Sequence, residues 1–197
     1  MKLILTIEPD DDGPENPRDW DNMGRMVCSH RRYNLRGSEP KTPHINFGNF
    51  SNWDEVSAHL IKCHEAFVIL PLYLYDHSGI TIATTPFSCR WDSGQVGFIY
   101  ATREDILNNL VNQPKRVTKN RKLWAEQALR QEVEAYDRYL RGEAYCYVIR
   151  DEDDNIIESC GGFDNEDYCR EQGESELALL TEDEDQSDVL QAELRCA

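Results

Sequence analysis

The alternation in residues 67–75, FVILPLYLY, constrains the fold more than any other stretch. Val68, Leu70, Leu72 and Leu74 fall on one side of an extended chain and Phe67, Ile69, Tyr73 and Tyr75 on the other, the two-residue period of a β-strand. Pro71 has no backbone N–H to give to a ladder, so an edge or a bulge is expected there. Asp76-His77-Ser78-Gly79 is turn chemistry, and residues 80–85 return as the partner strand of a hairpin. Hairpin logic recurs near the C-terminus, where the runs 144–149 and 156–160 flank the acidic tip Asp151-Glu152-Asp153-Asp154-Asn155. Residues 2–8 add a first strand, and another begins at Val96.

Helical period appears between the strands. Asn52 stands as an N-cap with Glu55 at the third helical position, ahead of Val56, Leu60 and Cys63. Thr102 caps a short helix over 103–111, which Pro114 stops. Residues 119–141 form the long helix, with Ala125, Leu129, Val133, Tyr136 and Leu140 on one stripe. Glu126/Arg130, Glu134/Arg138 and Asp137/Arg141 are ion pairs of favourable orientation at four-residue spacing on it. Residues 165–180 read as helical and the last seventeen as a frayed helix or a disordered tail. Residues 23–50, with little period, are expected to be irregular.

Strands joined by hairpins rather than βαβ crossovers predict α+β: a mostly antiparallel sheet of about five strands packed against one long and one or two short helices. The expected division is one α+β domain over 1–163 and an acidic, helical or partly disordered segment over 164–197. No apolar run is long enough to span a bilayer, and the seven cysteines are scattered without a paired framework. A soluble protein of a reducing cytoplasm, with no membrane partner, is expected.

Charge is the compositional feature furthest from ordinary. Of the 37 acids and 21 bases, 17 acids but only two arginines stand in residues 151–197, so that quarter holds −15 of a net −16. Phosphates would be repelled by it, which argues against nucleic acid as its direct partner and for a basic protein surface. The carboxylates at issue are Asp151, Glu152, Asp153 and Asp154 on the hairpin tip, then Asp164, Glu166, Asp167, Glu171, Glu174 and Glu176. Glu182, Asp183, Glu184 and Asp185 continue the series on the tail. Presented in a row, they would imitate a nucleic-acid backbone, and binding would weaken with salt. A solubilising tail is the plainer reading. Residues 23–50 also carry a basic patch, Arg25, Arg31, Arg32, Arg36 and Lys41; if it pairs with the acidic quarter, the two would neutralise each other.

Catalytic signals are thin. In SCRWDSGQVGFIY (88–100), Cys89 with His77 as base and Asp92 as orienting group would make a thiol enzyme. Against that, Phe87 and Trp91 plug an edge of the sheet, and Asp92 or Ser93 closes a turn. Cys28, His30, Cys63 and His64 have the ligand types of a zinc site without its spacing, and Asp151, Asp153 and Asn155 alternate as in a calcium loop that lacks its glycine. No metal and no cofactor is expected.

The stretches WDNMGRMVCSHRRYNL (20–35), LPLYLYDHSGITIATTPFSCRWDSGQVGFIY (70–100) and EVEAYDRYLRGEAYCYVI (132–149) resemble a group of small proteins from bacteriophages and mobile elements. The resemblance brings no catalytic role to Cys89, His77 or Trp91. It implies a context: a small acidic phage-like protein acting by binding against a host defence, restriction or CRISPR, in the host cytoplasm. The expected function is thus a non-enzymatic inhibitor of a nucleic-acid-handling complex.

Overall fold

The structure is a computed structural model that describes residues 2–10, 13, 15–35, 41–111 and 114–195, with 182–195 described by their backbone alone. The described residues form seven strands and four helices, numbered in chain order. The fold is α+β with antiparallel sheets, as expected. The strands, however, form two sheets instead of one.

Contacts divide the chain into a terminal unit, Met1–Glu15 with Gly142–Ala197, and a central unit, Asn16–Arg141. The division therefore falls elsewhere than between residues 163 and 164. In the terminal unit, β1 (Ile4–Pro9), β6 (Tyr145–Arg150) and β7 (Ile156–Phe163) lie in the order β1-β6-β7. Helix α4 (Glu166–Arg195) packs on this sheet, with Cys169, Leu177 and Leu180 against Leu3, Leu5, Ile7, Tyr147 and Ile149. Gly173 makes the close approach possible, since a Cβ there would stand 2.7 Å from Leu5 Cδ1 and 3.0 Å from Tyr147 Cβ. The tail, expected to be a frayed helix or disordered, continues this helix to Arg195.

The central unit is a four-stranded sheet, in the order β2-β5-β3-β4, of β2 (Arg25–Cys28), β3 (Ala66–Asp76), β4 (Ile80–Ala83) and β5 (Ser93–Thr102). Helix α1 (Trp53–Cys63) covers one face and α3 (Lys119–Leu140) the other. Val68, Leu70, Leu72 and Leu74 of β3 meet Ala125, Leu129, Val133 and Tyr136 of α3. Val56 and Leu60 of α1 meet Val27, Phe98 and Tyr100. Pro71 is tolerated because β4 pairs only with Tyr73–Asp76, so β3 is locally an edge at the proline.

Three local expectations hold in detail and one fails. Asn52 accepts from Glu55 N at 2.9 Å and Glu55 Oε2 from Ser51 N at 2.8 Å, which starts α1. Asp137 meets Arg141 Nε at 3.2 Å and also accepts from Ile82 N at 2.7 Å, tying α3 to β4. Of the α3 stripe, Ala125, Leu129, Val133 and Tyr136 are buried and Leu140 is partly buried. Residues 25–28, expected to be irregular, are instead β2, held on β5 because Gly97 leaves room: a Cβ there would fall 1.9 Å from Val27 O.

Helix α2 (Arg103–Asn108) begins with a capping box, Thr102 and Asp105 each bonding the other's backbone. Asp105 Oδ1 also meets Arg25 Nη2 at 2.8 Å. Burial by itself would raise the Asp105 carboxyl. The Arg25 guanidinium, the Thr102 N–H and the Thr102 hydroxyl outweigh it and hold the group below its ordinary 3.8. His64, which caps the end of α1, is lowered from 6.5 by burial, then by the charges of His59 and Arg25. Both shifts act in the same direction. The unfolded chain takes up a proton on His64 as pH falls through about 6.5, and on Asp105 through about 4, before the folded protein does, so stability is lost in two steps on acidification. Urea unfolding against pH is expected to lose the upper step in His64→Gln and the lower step in Asp105→Asn. A wild-type stability that is flat from pH 7 to 3 would contradict both assignments.

Candidate functional site

The structure sorts the carboxylates into those that serve the fold and those that face outward. Asp151 belongs to the first group: its carboxylate accepts from Asp153 N, Asn155 N and Asn155 Nδ2, each at 2.9 Å, and so holds the hairpin tip together. The Asn155 amide first, then the backbone N–H groups of Asn155 and Asp153, keep that carboxyl below its usual range. Glu166 pairs with Arg170 at 2.9 Å, and Glu176 is half-buried near Tyr147. Asp164 is half-buried and engaged.

Glu152, Asp153, Asp154, Asp167, Glu171 and Glu174 are exposed. Asp154 Oδ1 lies 3.6 Å from Arg150 Nε, but that guanidinium is held more closely by Glu8 Oε1 at 2.6 Å. Asp167, Glu171 and Glu174 share the face of α4 opposite Cys169, Gly173 and Leu177, because four- and three-residue steps return to one side of a helix. Glu182, Asp183, Glu184 and Asp185 lie in the backbone span of α4, and their side chains are outside the described residues.

Charge follows the division into units more sharply than it follows the linear sequence. The terminal unit holds 23 of the 37 acids and four of the 21 bases, a net of −19, which leaves the central unit at +3. The additional acids are Glu8, Asp10, Asp11, Asp12, Glu15 and Glu143. Five acids against one lysine in the first fifteen residues was the signal in the sequence, and only the pairing of β1 with β6 attaches it to the acidic quarter.

The basic patch has its own partners in the central unit. Arg25 meets Asp105, Arg32 Nη2 meets Asp76 Oδ2 at 3.2 Å, and Lys41 Nζ meets Asp21 at 3.0 Å. Arg31 is exposed and Arg36 lies outside the described residues. An open cleft of about 760 Å³ runs past His30, Arg31, Tyr33 and His44, with His30 stacked on Tyr33 at 5.0 Å.

Cys89, His77 and Asp92 do come together, in an order unsuited to a thiol nucleophile. Asp92 Oδ2 lies 3.4 Å from His77 Nδ1 and 3.6 Å from Cys89 Sγ, so the carboxylate stands between thiol and imidazole. A nucleophile needs the base beside the sulfur, and here a carboxylate occupies that place. The loop is closed by Ser93 Oγ donating to Cys89 O and by Asp76 N donating to Asp92 O. Phe87 packs on Tyr75, but Trp91 plugs nothing: it is 95 % exposed.

Among the described residues no group of three or more His, Cys, Asp or Glu is arranged to hold a metal ion. Cys28 packs with the α3 side of the sheet, whereas Cys63 and His64 end the helix on the other side. Part of the Cys28 residue reaches the surface, but its thiol is enclosed, and burial pushes it up to about 12. The buried Cys169 thiol is raised for the same reason. Mild alkylation near neutral pH is therefore expected to label exposed Cys63 and Cys160 first and Cys28 and Cys169 last. Labelling of Cys89 ahead of all others, read by peptide mass mapping, would restore the thiol-enzyme reading. No family model, curated protein or solved structure matches the chain.

Proposed function

We propose that the protein is a non-enzymatic binding protein whose terminal unit occupies a basic surface on a nucleic-acid-handling complex and keeps nucleic acid away from it. The observation that carries this reading is the net −19 of one compact unit, with six exposed carboxylates on a hairpin tip and one helix face. Helical rise spaces Asp167, Glu171 and Glu174 about 6 and 4.5 Å apart along the axis, against one phosphate per ~3.4 Å per strand of DNA. That is a coarse polyanion rather than a phosphate-for-phosphate copy, which suits a groove built for many sequences. The bacteriophage resemblance directs the choice of partner to a host defence complex in the host cytoplasm. No described helix is long and apolar enough to cross a membrane.

Tagged protein is expected to capture a DNA-binding host complex at low salt and to release it at high salt or on addition of duplex DNA. Capture that survives both treatments would overturn the reading, because an electrostatic dock on a nucleic-acid groove has to yield to each.

A further inference from the structure

Strand β7 ends its sheet, and among the described residues no strand lies along its outer edge. Every residue from Ile156 to Gly162 is exposed, Ile156 at 60 %. Folded proteins usually guard such an edge with lysine, proline, bulges or very short length. Here the strand has eight residues and neither guard residue, and register shifts flank its middle, Glu158–Cys160. The Ser159 N–H meets the carboxylate of its own neighbour, Glu158 Oε1, at 3.2 Å.

We propose that the outer edge of β7 receives an extended basic segment of the partner as a fourth strand. Strand addition supplies affinity through main-chain hydrogen bonds and selectivity through side chains on alternate positions. The inference rests on the reading that the terminal unit meets a cationic partner, since charge chooses the occupant. Glu152, Asp153 and Asp154 stand at one end of the edge, Glu158 in its middle, and Asp164 with Asp10 at the other, where Asp10 Oδ2 accepts from Gly162 N at 2.6 Å. No Lys or Arg occurs between Asp151 and Cys169. A second copy of this chain is a poor occupant for the same reason. Antiparallel self-pairing about Ser159 would set the acidic tip of one molecule beside Asp164 and Glu166 of the other, and each terminal unit carries −19.

The test uses the full-length protein and a peptide about as long as β7 that alternates lysine with valine. It also uses the same peptide N-methylated at every second residue and a third with glutamine for lysine. The lysine peptide is expected to bind in a salt-sensitive manner and to slow hydrogen exchange of the amides in 157–161. N-methylation should weaken binding about tenfold or more, because each lost main-chain bond removes part of the ladder. A methylated peptide that binds as tightly as its parent overturns strand addition and leaves the cationic-partner reading standing. A glutamine peptide that binds as tightly as the lysine one overturns both. Protection of β7 that grows with protein concentration alone, without peptide, gives the edge to a second copy and ends the proposal.

Discussion

Replacing Glu132 by alanine is expected to cost about 3–5 kcal/mol of stability, the usual penalty for removing one partner of a buried ion pair. Its carboxylate accepts from Met23 N at 3.0 Å, from Gly24 N at 3.1 Å and from Arg18 Nη1 at 3.1 Å. Arg18 is 1 % exposed and gives its other amino group to Gly24 O at 2.6 Å. The substitution therefore takes the carboxylate from a buried guanidinium and leaves the Met23 and Gly24 amides without their acceptor. The same residues hold the start of β2 against α3, and Gly24 fits there because a Cβ would stand 2.5 Å from Leu129 Cδ2. Urea unfolding should show the loss, whereas Glu134→Ala, exposed on the same helix, should stay within about 0.5 kcal/mol of wild type. Arg18→Met combined with Glu132→Leu should recover part of the loss, since it removes the buried guanidinium, but not all of it, because the Met23 and Gly24 amides still lack their acceptor. A single-mutant cost below about 1 kcal/mol would mean that water reaches the pair.

The second large effect is on binding. Exchanging Glu152, Asp153, Asp154, Asp167, Glu171 and Glu174 together for their amides is expected to weaken capture of the basic partner about a hundredfold at low salt. The fold should be intact, because none of the six carries a packing or capping contact. The dependence of affinity on salt should flatten in the same variant, as fewer counterions are displaced on binding. Asp151→Asn is the contrasting control: it loosens the hairpin tip, so it should move the tip's amide exchange more than the affinity. Binding that is indifferent to the six exchanges would assign the negative charge to solvation and return the acidic unit to its plainer role.

Several elements are legible in the amino-acid sequence. The β3 alternation, the Asn52 cap of α1, the α3 stripe and the acidic hairpin each rest on residues within a few positions of one another. Strand β2 was not legible. Four residues, Arg25–Cys28, in a basic loop carry no period of their own and become a strand only where β5 offers a ladder and Gly97 offers room. The distal half of α4 is legible only as a frayed helix or a disordered tail, since its apolar stripe is thin and the packing of Cys169, Leu177 and Leu180 on the sheet starts the helix. Trp91, expected to plug a sheet edge, is exposed: an indole is apolar by composition, but a loop closed by Ser93 and Asp92 leaves it nowhere to pack.

The candidate site divides in the same way. Sign and quantity of charge add up residue by residue, so the polyanion was visible in the sequence. Which carboxylates are spent on the fold was not. Asp151 turns inward only because Asp153 and Asn155 present N–H groups to it, and Glu176 only because α4 sets that face on the sheet. The sequence by itself determined the antiparallel α+β class, the caps and the acidity, all properties of neighbours along the chain. Tertiary structure decided that residues 4–9 pair with 145–150, that Arg18 meets Glu132 and that the acids of both chain ends share one unit. Those facts depend on segments more than a hundred residues apart closing on one another, and no local period encodes which distant edge or charge will be there to meet.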